Sequence, residues 1–266
     1  MPSGSFVWKF KSVPKIYWEE ASRKSALTDE KNVINYIKNS GEIKIVSLGI
    51  GPGRELTWLR RLKNVGEIIG IDYSQPMLII CREVADYLKL KVVLIKDDLL
   101  YLKKAKKITK KESLPLFYIC LINSLGNFLA KNRIKVLKIV KGIMKKGDRL
   151  IVCLDKRPWE RRGKIFRTSS YLKIKNRKKE GRILGEILEY SSFALFWDPI
   201  LKKQYSLPRF WYDEKNNDIV VYAGKNKVFI SHRFAKEEIE KLYKKAGLKI
   251  EKLIGGKAMY TVISKI

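Results

Sequence analysis

The stretch Ile43–Asp72, IKIVSLGIGPGRELTWLRRLKNVGEIIGID, constrains this chain more than any other. It opens with an apolar, β-branched run, Ile43 to Leu48, of the kind that forms a parallel strand buried on both faces. Gly49-Ile50-Gly51-Pro52-Gly53 follows. Three glycines at alternate positions make a tight turn and let a ligand approach the backbone closely. Arg54 to Leu62 carries Leu56, Leu59 and Leu62 at helical spacing, so the turn feeds a helix. A second strand, Glu67 to Ile71, ends at Asp72, which lies 19 residues after Gly53. Roughly 20 residues separate a glycine turn from a ribose-binding acid in nucleotide folds. A carboxylate at the tip of the second strand can accept hydrogen bonds from both ribose hydroxyls. The glycine turn then faces the substituent on the 5′ carbon. Dinucleotide sites place a pyrophosphate there and read G-x-G-x-x-G; here the pattern is G-x-G-x-G, and Arg54 and Glu55 leave no third glycine in the dinucleotide place.

The remaining chain extends an α/β pattern. Residues 1–40 read as an N-terminal lid, rich in aromatics (Phe6, Trp8, Phe10, Tyr17, Trp18). Thr28 is placed to cap a helix whose first turn carries Asp29 and Glu30, with Val33, Ile34 and Ile37 as its apolar face and Gly41 as its stop. This helix either covers a ligand or packs on the sheet. Pro76 suits the first turn of a helix reaching about Lys89. A third strand, Lys91 to Ile95, leads into Asp97-Asp98-Leu99. Lys103 to Lys111, KKAKKITKK, holds six lysines and reads as a solvated face, with nucleic-acid contact as the alternative. A fourth strand spans Leu116 to Ile122 and ends in Asn123-Ser124, the carboxyl edge where open α/β sheets bind ligands. A helix from about Arg133 to Lys145 and a fifth strand from Arg149 to Leu154 complete residues 41–155 as a cofactor-binding core. Residues 156–232 read as a cap insertion with antiparallel strands such as Arg182 to Tyr190 and Asn217 to Tyr222, and turns at Asn216-Asn217 and Gly224-Lys225. Residues 233–266 return to the core with a helix, Lys236 to Ala246, and a hairpin, Leu248 to Ile254 and Ala258 to Ile263.

Charge is the unusual feature of the composition: 57 Lys+Arg against 27 Asp+Glu, a net +30. That excess favours polyanions such as RNA. A bias set by high growth temperature would raise Glu along with Lys. No run of about 18 or more apolar residues is present, so no membrane helix is expected. The amino-terminal segment has no long apolar core like that of a signal peptide, and a cytoplasmic location is expected. Cys81, Cys120 and Cys153 are far apart and read as buried thiols; the single histidine, His232, rules out a histidine-rich metal site.

The glycine turn with its acid resembles motif I of class I S-adenosylmethionine-dependent methyltransferases. The resemblance implies a Rossmann-like, seven-stranded methyltransferase sheet with an antiparallel β cap and an N-terminal helical lid. It implies S-adenosylmethionine as cofactor, held by Gly49, Gly51, Gly53 and Asp72. Tyr73 and Met77 would pack on the adenine, and Asp97 would meet its amino group, with Asp98 as the alternative and Leu99 and Leu121 as further contacts. Ser47 stands where motif I has an acid that helps hold the methionine end of the cofactor. Four segments resemble glycine N-methyltransferases and their relatives: Cys120-Leu121-Ile122-Asn123-Ser124, Leu154-Asp155-Lys156-Arg157, Gly163-Lys164-Ile165-Phe166 and Gly255-Gly256-Lys257-Ala258-Met259-Tyr260. Ile122 replaces a glycine of that family, and Phe166 and Arg167 replace tyrosines that often follow.

The activity this implies is methyl transfer to an amine of a small molecule or amino acid, by in-line attack of the neutral amine. Positioning the nucleophile at about 3 Å then does most of the catalysis. The candidate catalytic residues are Asn123, Arg157 and His232. Arg157 is placed to bind a carboxylate with its guanidinium fork, and His232 is a candidate base. Two other readings stand beside this one. An RNA methyltransferase is favoured by charge, but the N-P-P-Y and Pro-Cys motifs of many such enzymes are absent. A non-catalytic scaffold is compatible with Ser47.

Overall fold

The computed structural model describes residues 26–156, 197–198, 203–204, 209–213, 216–223, 226–256 and 259–266. Five strands carry the first half: β1 (Ile43–Leu48), β2 (Val65–Asp72), β3 (Val92–Lys96), β4 (Leu116–Cys120) and β5 (Arg149–Asp155). They are joined by the helices α2 (Leu56–Leu59), α3 (Gln75–Tyr87), α4 (Lys103–Thr109) and α5 (Ala130–Lys141), and α1 (Ala26–Lys38) precedes them. The later described elements are β6 (Trp197–Asp198), β7 (Lys203–Gln204), β8 (Arg209–Asp213), β9 (Asp218–Ala223), β10 (Asn226–His232), α6 (Lys236–Ala246), β11 (Lys249–Gly255) and β12 (Met259–Lys265).

The main sheet has seven strands in the order β11-β12-β5-β4-β1-β2-β3. β1 pairs parallel with β2 and β4, β2 with β3, and β4 with β5; β12 alone enters antiparallel, between β5 and β11. The chain reverses direction beside β1, so the crevice over its carboxyl end lies at the switch point where such sheets take ligands. Apolar side chains of β1, β4 and β5 point into two cores. One, under α4, α5 and α6, holds Ala105, Val136, Leu137, Ile239 and Tyr243; the other, under α1, α2 and α3, holds Val33, Ile37, Leu56, Leu59, Leu78 and Cys81.

Several expected boundaries shift, each for a local reason. The helix after the glycine turn stops at Leu59 because Arg61 and Leu62 bond back to Trp58 and Leu59, tightening the turn. Strand β4 ends at Cys120, two residues early, because Ile122 and Asn123 adopt left-handed φ of 49° and 55°. Thr28 lies inside α1 rather than at its cap. Glu30 is buried, pairs with Arg54 and accepts from Trp58 Nε1 at 3.1 Å. Helix α1 is a sheet-packing layer, with Tyr36 stacked on Phe117 at 5.8 Å.

The strand expected near Asn217–Tyr222 is β9, the middle of a small antiparallel sheet β10-β9-β8. The aromatic segment 1–25, the Arg182–Tyr190 strand and the Gly224-Lys225 turn lie outside the described residues. Helix α6 and the β11–β12 hairpin follow the expected positions to within about two residues.

Candidate active site

The carboxyl ends of β1, β2, β3 and β4 converge on the glycine turn. Gly49, Gly51 and Gly53 have φ of +75°, +55° and +80°, a region that side-chain-bearing residues rarely adopt. A Cβ at Gly53 would also lie 2.7 Å from Cys81 Sγ. The turn is anchored from β2: Gly49 N and Ile50 N donate to Ile71 O at 2.8 and 3.0 Å.

Asp72 completes that anchor. Its Oδ2 accepts from Gly51 N at 2.9 Å and its Oδ1 from Ser74 N at 2.8 Å. Burial holds the carboxyl above its usual range, opposed by backbone N–H bonds from Ser74, Gly51 and Tyr73. Three backbone donors take three of the roughly four acceptor sites of the carboxylate, so one remains for a further hydrogen bond. Beside it, Ser74 caps α3, with its Oγ accepting from Met77 N at 3.4 Å. Tyr73 is 51% exposed, while Met77 is buried.

The two neighbouring aspartates of the β3 loop have different partners. Asp97 Oδ2 accepts from Lys104 N and Ala105 N at 2.7 and 3.1 Å, and its Oδ1 from Asp98 N at 2.9 Å. It therefore caps α4, whose first turn offers unpaired N–H groups. Asp98 Oδ1 accepts from Leu100 N at 2.8 Å, and its Oδ2 has no partner among the described residues. Leu99 and Leu121 are both buried.

Sequence reasoning noted Glu55 but assigned it no role. Its side chain is buried, and its Oε1 accepts a hydrogen bond from Ser47 Oγ. Burial pushes the Glu55 carboxyl up to about 7, against the Ser47 bond and the Arg54 charge. A carboxylate therefore stands beside the place where motif I carries its acid, delivered from the helix side instead of from β1. The signal was a serine at the acid position with a glutamate just past the third glycine.

The acceptor-side candidates fare differently. Asn123 is buried, and both hydrogens of its amide are used: Nδ2 donates to Ser231 Oγ at 3.1 Å and to His232 O at 2.9 Å. Its Oδ1 accepts from Asp155 N at 3.1 Å. This amide fastens β10 to the end of β5. His232 Nδ1 meets Asp218 Oδ1 at 2.7 Å and its Nε2 meets Glu238 Oε1 at 2.6 Å. With both nitrogens engaged by carboxylates, the ring is not placed to take a proton from an acceptor. Around it Arg133 pairs with Asp218 at 3.0 Å and Arg233 with Asp155. The pull of burial on Asp218 is outweighed by His232 and Arg133, which hold its carboxyl below the usual range. Arg157 and the Gly163–Phe166 segment lie outside the described residues.

The three cysteines are free and buried, and burial pushes Cys120 to about 12 and the other two higher. None is a nucleophile at neutral pH. Among the described residues no cluster of His, Cys, Asp and Glu could hold a metal, and no helix is long and apolar enough to cross a membrane.

Similar solved structures bear directly on the fold. The chain is similar to a protein from Pyrococcus horikoshii OT3 (TM-score 0.58, 20% identity, 91% of this chain and 90% of that one). It is similar to S-adenosylmethionine-dependent methyltransferases from Clostridium acetobutylicum (0.56, 15%, 90% of each chain) and from Aquifex aeolicus (0.53, 15%, 96% and 98%). No protein-family profile and no curated protein matches the sequence. At these identities the likeness establishes the fold: a Rossmann-like α/β sheet of the methyltransferase type.

Proposed function

We propose that this chain is an S-adenosylmethionine-dependent methyltransferase whose acceptor is an amine of a small molecule or an amino acid. The observation that carries the cofactor reading is the Gly51 N–Asp72 Oδ2 bond at 2.9 Å, which locks the positive-φ glycine turn against a ribose-binding carboxylate. Bound there, S-adenosylmethionine supplies a methyl group activated on a sulfonium.

Each residue then has a task. Asp72 accepts a ribose hydroxyl on its remaining acceptor site. Asp98, with Oδ2 uncommitted, accepts from the adenine amino group, whereas Asp97 serves as the α4 cap. The half-exposed Tyr73 ring covers one side of the base. Glu55, held by Ser47, takes the part of the missing motif I acid and attracts the ammonium of the cofactor's amino-acid end. The glycine turn admits the sulfonium side close to the backbone.

For the acceptor, the motif resemblance supports an amine, and Arg157 is the proposed carboxylate anchor. The segment leading to it is fixed at Asp155, whose N–H bonds Asn123 Oδ1 and whose carboxylate pairs with Arg233. Catalysis by positioning requires the amine to arrive neutral, because His232 is committed to Asp218 and Glu238.

Thermal shift tests the cofactor reading. At about 100 Kd of S-adenosylmethionine or S-adenosylhomocysteine, stabilisation of about 2.7 kcal/mol is expected. Asp72→Asn, which keeps the side-chain volume and one acceptor oxygen, should lose most of it. No rise in Tm with either ligand at millimolar concentration would overturn the reading. A screen of labelled methyl transfer to amino acids, amines, peptides and RNA then assigns the acceptor.

A further inference from the structure

The two faces of the main sheet differ in charge far more than a net +30 requires. Helices α4 and α5, KKAKKIT and AKNRIKVLKIVK, carry nine basic residues and no acidic one. Helices α1 and α3 on the opposite face, ALTDEKNVINYIK and QPMLIICREVADY, carry three basic residues and four acidic ones. Among the described helices α4 and α5 thus carry the largest positive excess, since α6 on the same face has four basic and three acidic residues.

On that face Lys103, Lys104, Lys106 and Lys107 of α4 are all exposed, and so are Lys131, Lys135 and Lys138 of α5. None of these seven lies within ion-pair distance of a carboxylate among the described residues, whereas Lys44 and Arg54 elsewhere and the buried Arg133 of α5 do pair. Neighbouring ammonium groups repel one another, and an unneutralised row of them is relieved by a polyanion that displaces its own counterions.

A second feature selects the kind of polyanion. Tyr101, at the start of α4, is 56% exposed and stands between the two helices. Lys103 Nζ and Lys135 Nζ lie 5.9 and 4.5 Å from its ring centroid. An exposed aromatic ring between two cations is the element on which an unpaired base stacks while its phosphates meet the lysines. Neither helix contains an exposed large apolar residue, the anchor an interfacial membrane helix needs.

We infer that the α4–α5 face, with Tyr101 at its head, is a docking surface for single-stranded RNA. The surface is independent of the methyl-transfer reading: it would hold RNA whether or not RNA is the acceptor. Tyr101 lies beside the β3 loop, its N–H donating to Asp98 O at 2.9 Å.

Fluorescence anisotropy with a labelled twelve-nucleotide oligouridylate tests the inference without cofactor or turnover. Affinity should fall with salt. The variant Lys103→Gln/Lys104→Gln/Lys106→Gln/Lys107→Gln should flatten the log Kd against log salt slope by up to about 3, at about 0.7 per lost phosphate contact. Neutralising Lys31, Lys38, Lys63 and Lys91 on other surfaces should change the slope by less than one. Tyr101→Ala should weaken binding at least about fivefold, the lower end of a lost base stack. Equal loss in both quadruple variants would show that only net charge is at work and overturn the inference. An unchanged affinity in Tyr101→Ala, equal binding of a duplex, or selective capture by anionic lipid vesicles would overturn it as well. Since the lysines are solvent-exposed, each variant should keep the wild-type Tm. Loss of the thermal shift with S-adenosylmethionine would leave these results standing, and the reverse.

Discussion

The substitution Glu55→Gln removes a charge that burial opposes while keeping an oxygen able to accept the Ser47 hydroxyl. The Glu55 carboxyl is pushed from an ordinary 4.5 up to about 7. At about 1.4 kcal/mol for each unit of pKa, ionising it in the folded protein costs about 3 kcal/mol more than in the unfolded chain. The sign follows from proton binding. Between pH 4.5 and 7 the folded state holds this proton and the unfolded state releases it, so stability falls as pH rises through that window. Below the window the cost is absent, and above it the cost is complete. Glutamine has no proton to lose, so the variant should lack this decline. At pH 8 it should be more stable than the wild type by up to about 3 kcal/mol, at roughly 2–4 °C in Tm per kcal/mol for a chain of this length.

Binding should move the other way. An ammonium placed beside ionised Glu55 recovers the interaction that burial made expensive. The variant should therefore bind S-adenosylmethionine at least about tenfold more weakly at pH 8, the worth of one hydrogen bond to a charged group. Wild-type affinity should also drop below pH 7 as Glu55 takes up its proton. Calorimetric unfolding from pH 5 to 8, with titration calorimetry at the same pH values, reads both effects. A lower Tm for Glu55→Gln at pH 8, with an unchanged slope below it, would refute the burial argument. A higher Tm with unchanged affinity would refute the cofactor role alone.

Two further substitutions separate neighbouring residues. Asp97→Ala should cost about 1 kcal/mol of stability through the lost α4 cap, while Asp98→Ala should leave Tm nearly constant and raise the Kd for S-adenosylmethionine; Tm and Kd measured on both variants check this, and the opposite pattern would exchange their roles. Arg157→Lys should lower kcat/KM at least about tenfold for carboxylate-bearing acceptors, since the lysine keeps the charge and loses the fork; an equal loss for acceptors without a carboxylate would assign Arg157 a structural role.

The fold was legible because its determinants are local. The β-branched run of β1, the alternate glycines and Asp72 each report their own conformation, and β1 and α6 fall at the expected residues. The misreadings lie where long-range partners decide. Glu30 looked like a helix-dipole residue and is a buried partner of Arg54 and Trp58. His232 looked like a base, and only the return of β9 and α6 brings Asp218 and Glu238 to its two nitrogens. The same holds for Glu55 and Ser47: eight residues apart, they meet because the glycine turn folds the chain back over the end of β1. Asp97 and Asp98 differ by one residue, and register at that precision follows from the cap that α4 demands.

The buried network past β4 links the fold to the acceptor side. Ile122 and Asn123 hold consecutive left-handed conformations, each costing on the order of 1–3 kcal/mol for a residue with a side chain. Such strain persists only where surrounding bonds over-determine it. Asn123 supplies them: its N–H reaches Cys153 O at 3.1 Å on β5, and its amide joins Ser231, His232 and Asp155. Gly126 follows from the same arrangement, because a Cβ there would lie 2.4 Å from Asn123 Nδ2. One side chain thus sets the end of β4, the attachment of β10 and the start of the segment that carries Arg157. The left-handed turn lets the Asn123 amide reach both the end of β10 and the end of β5. Asn123, read from the sequence as a catalytic residue, is held by bonds to Ser231, His232 and Asp155 on all of its amide atoms.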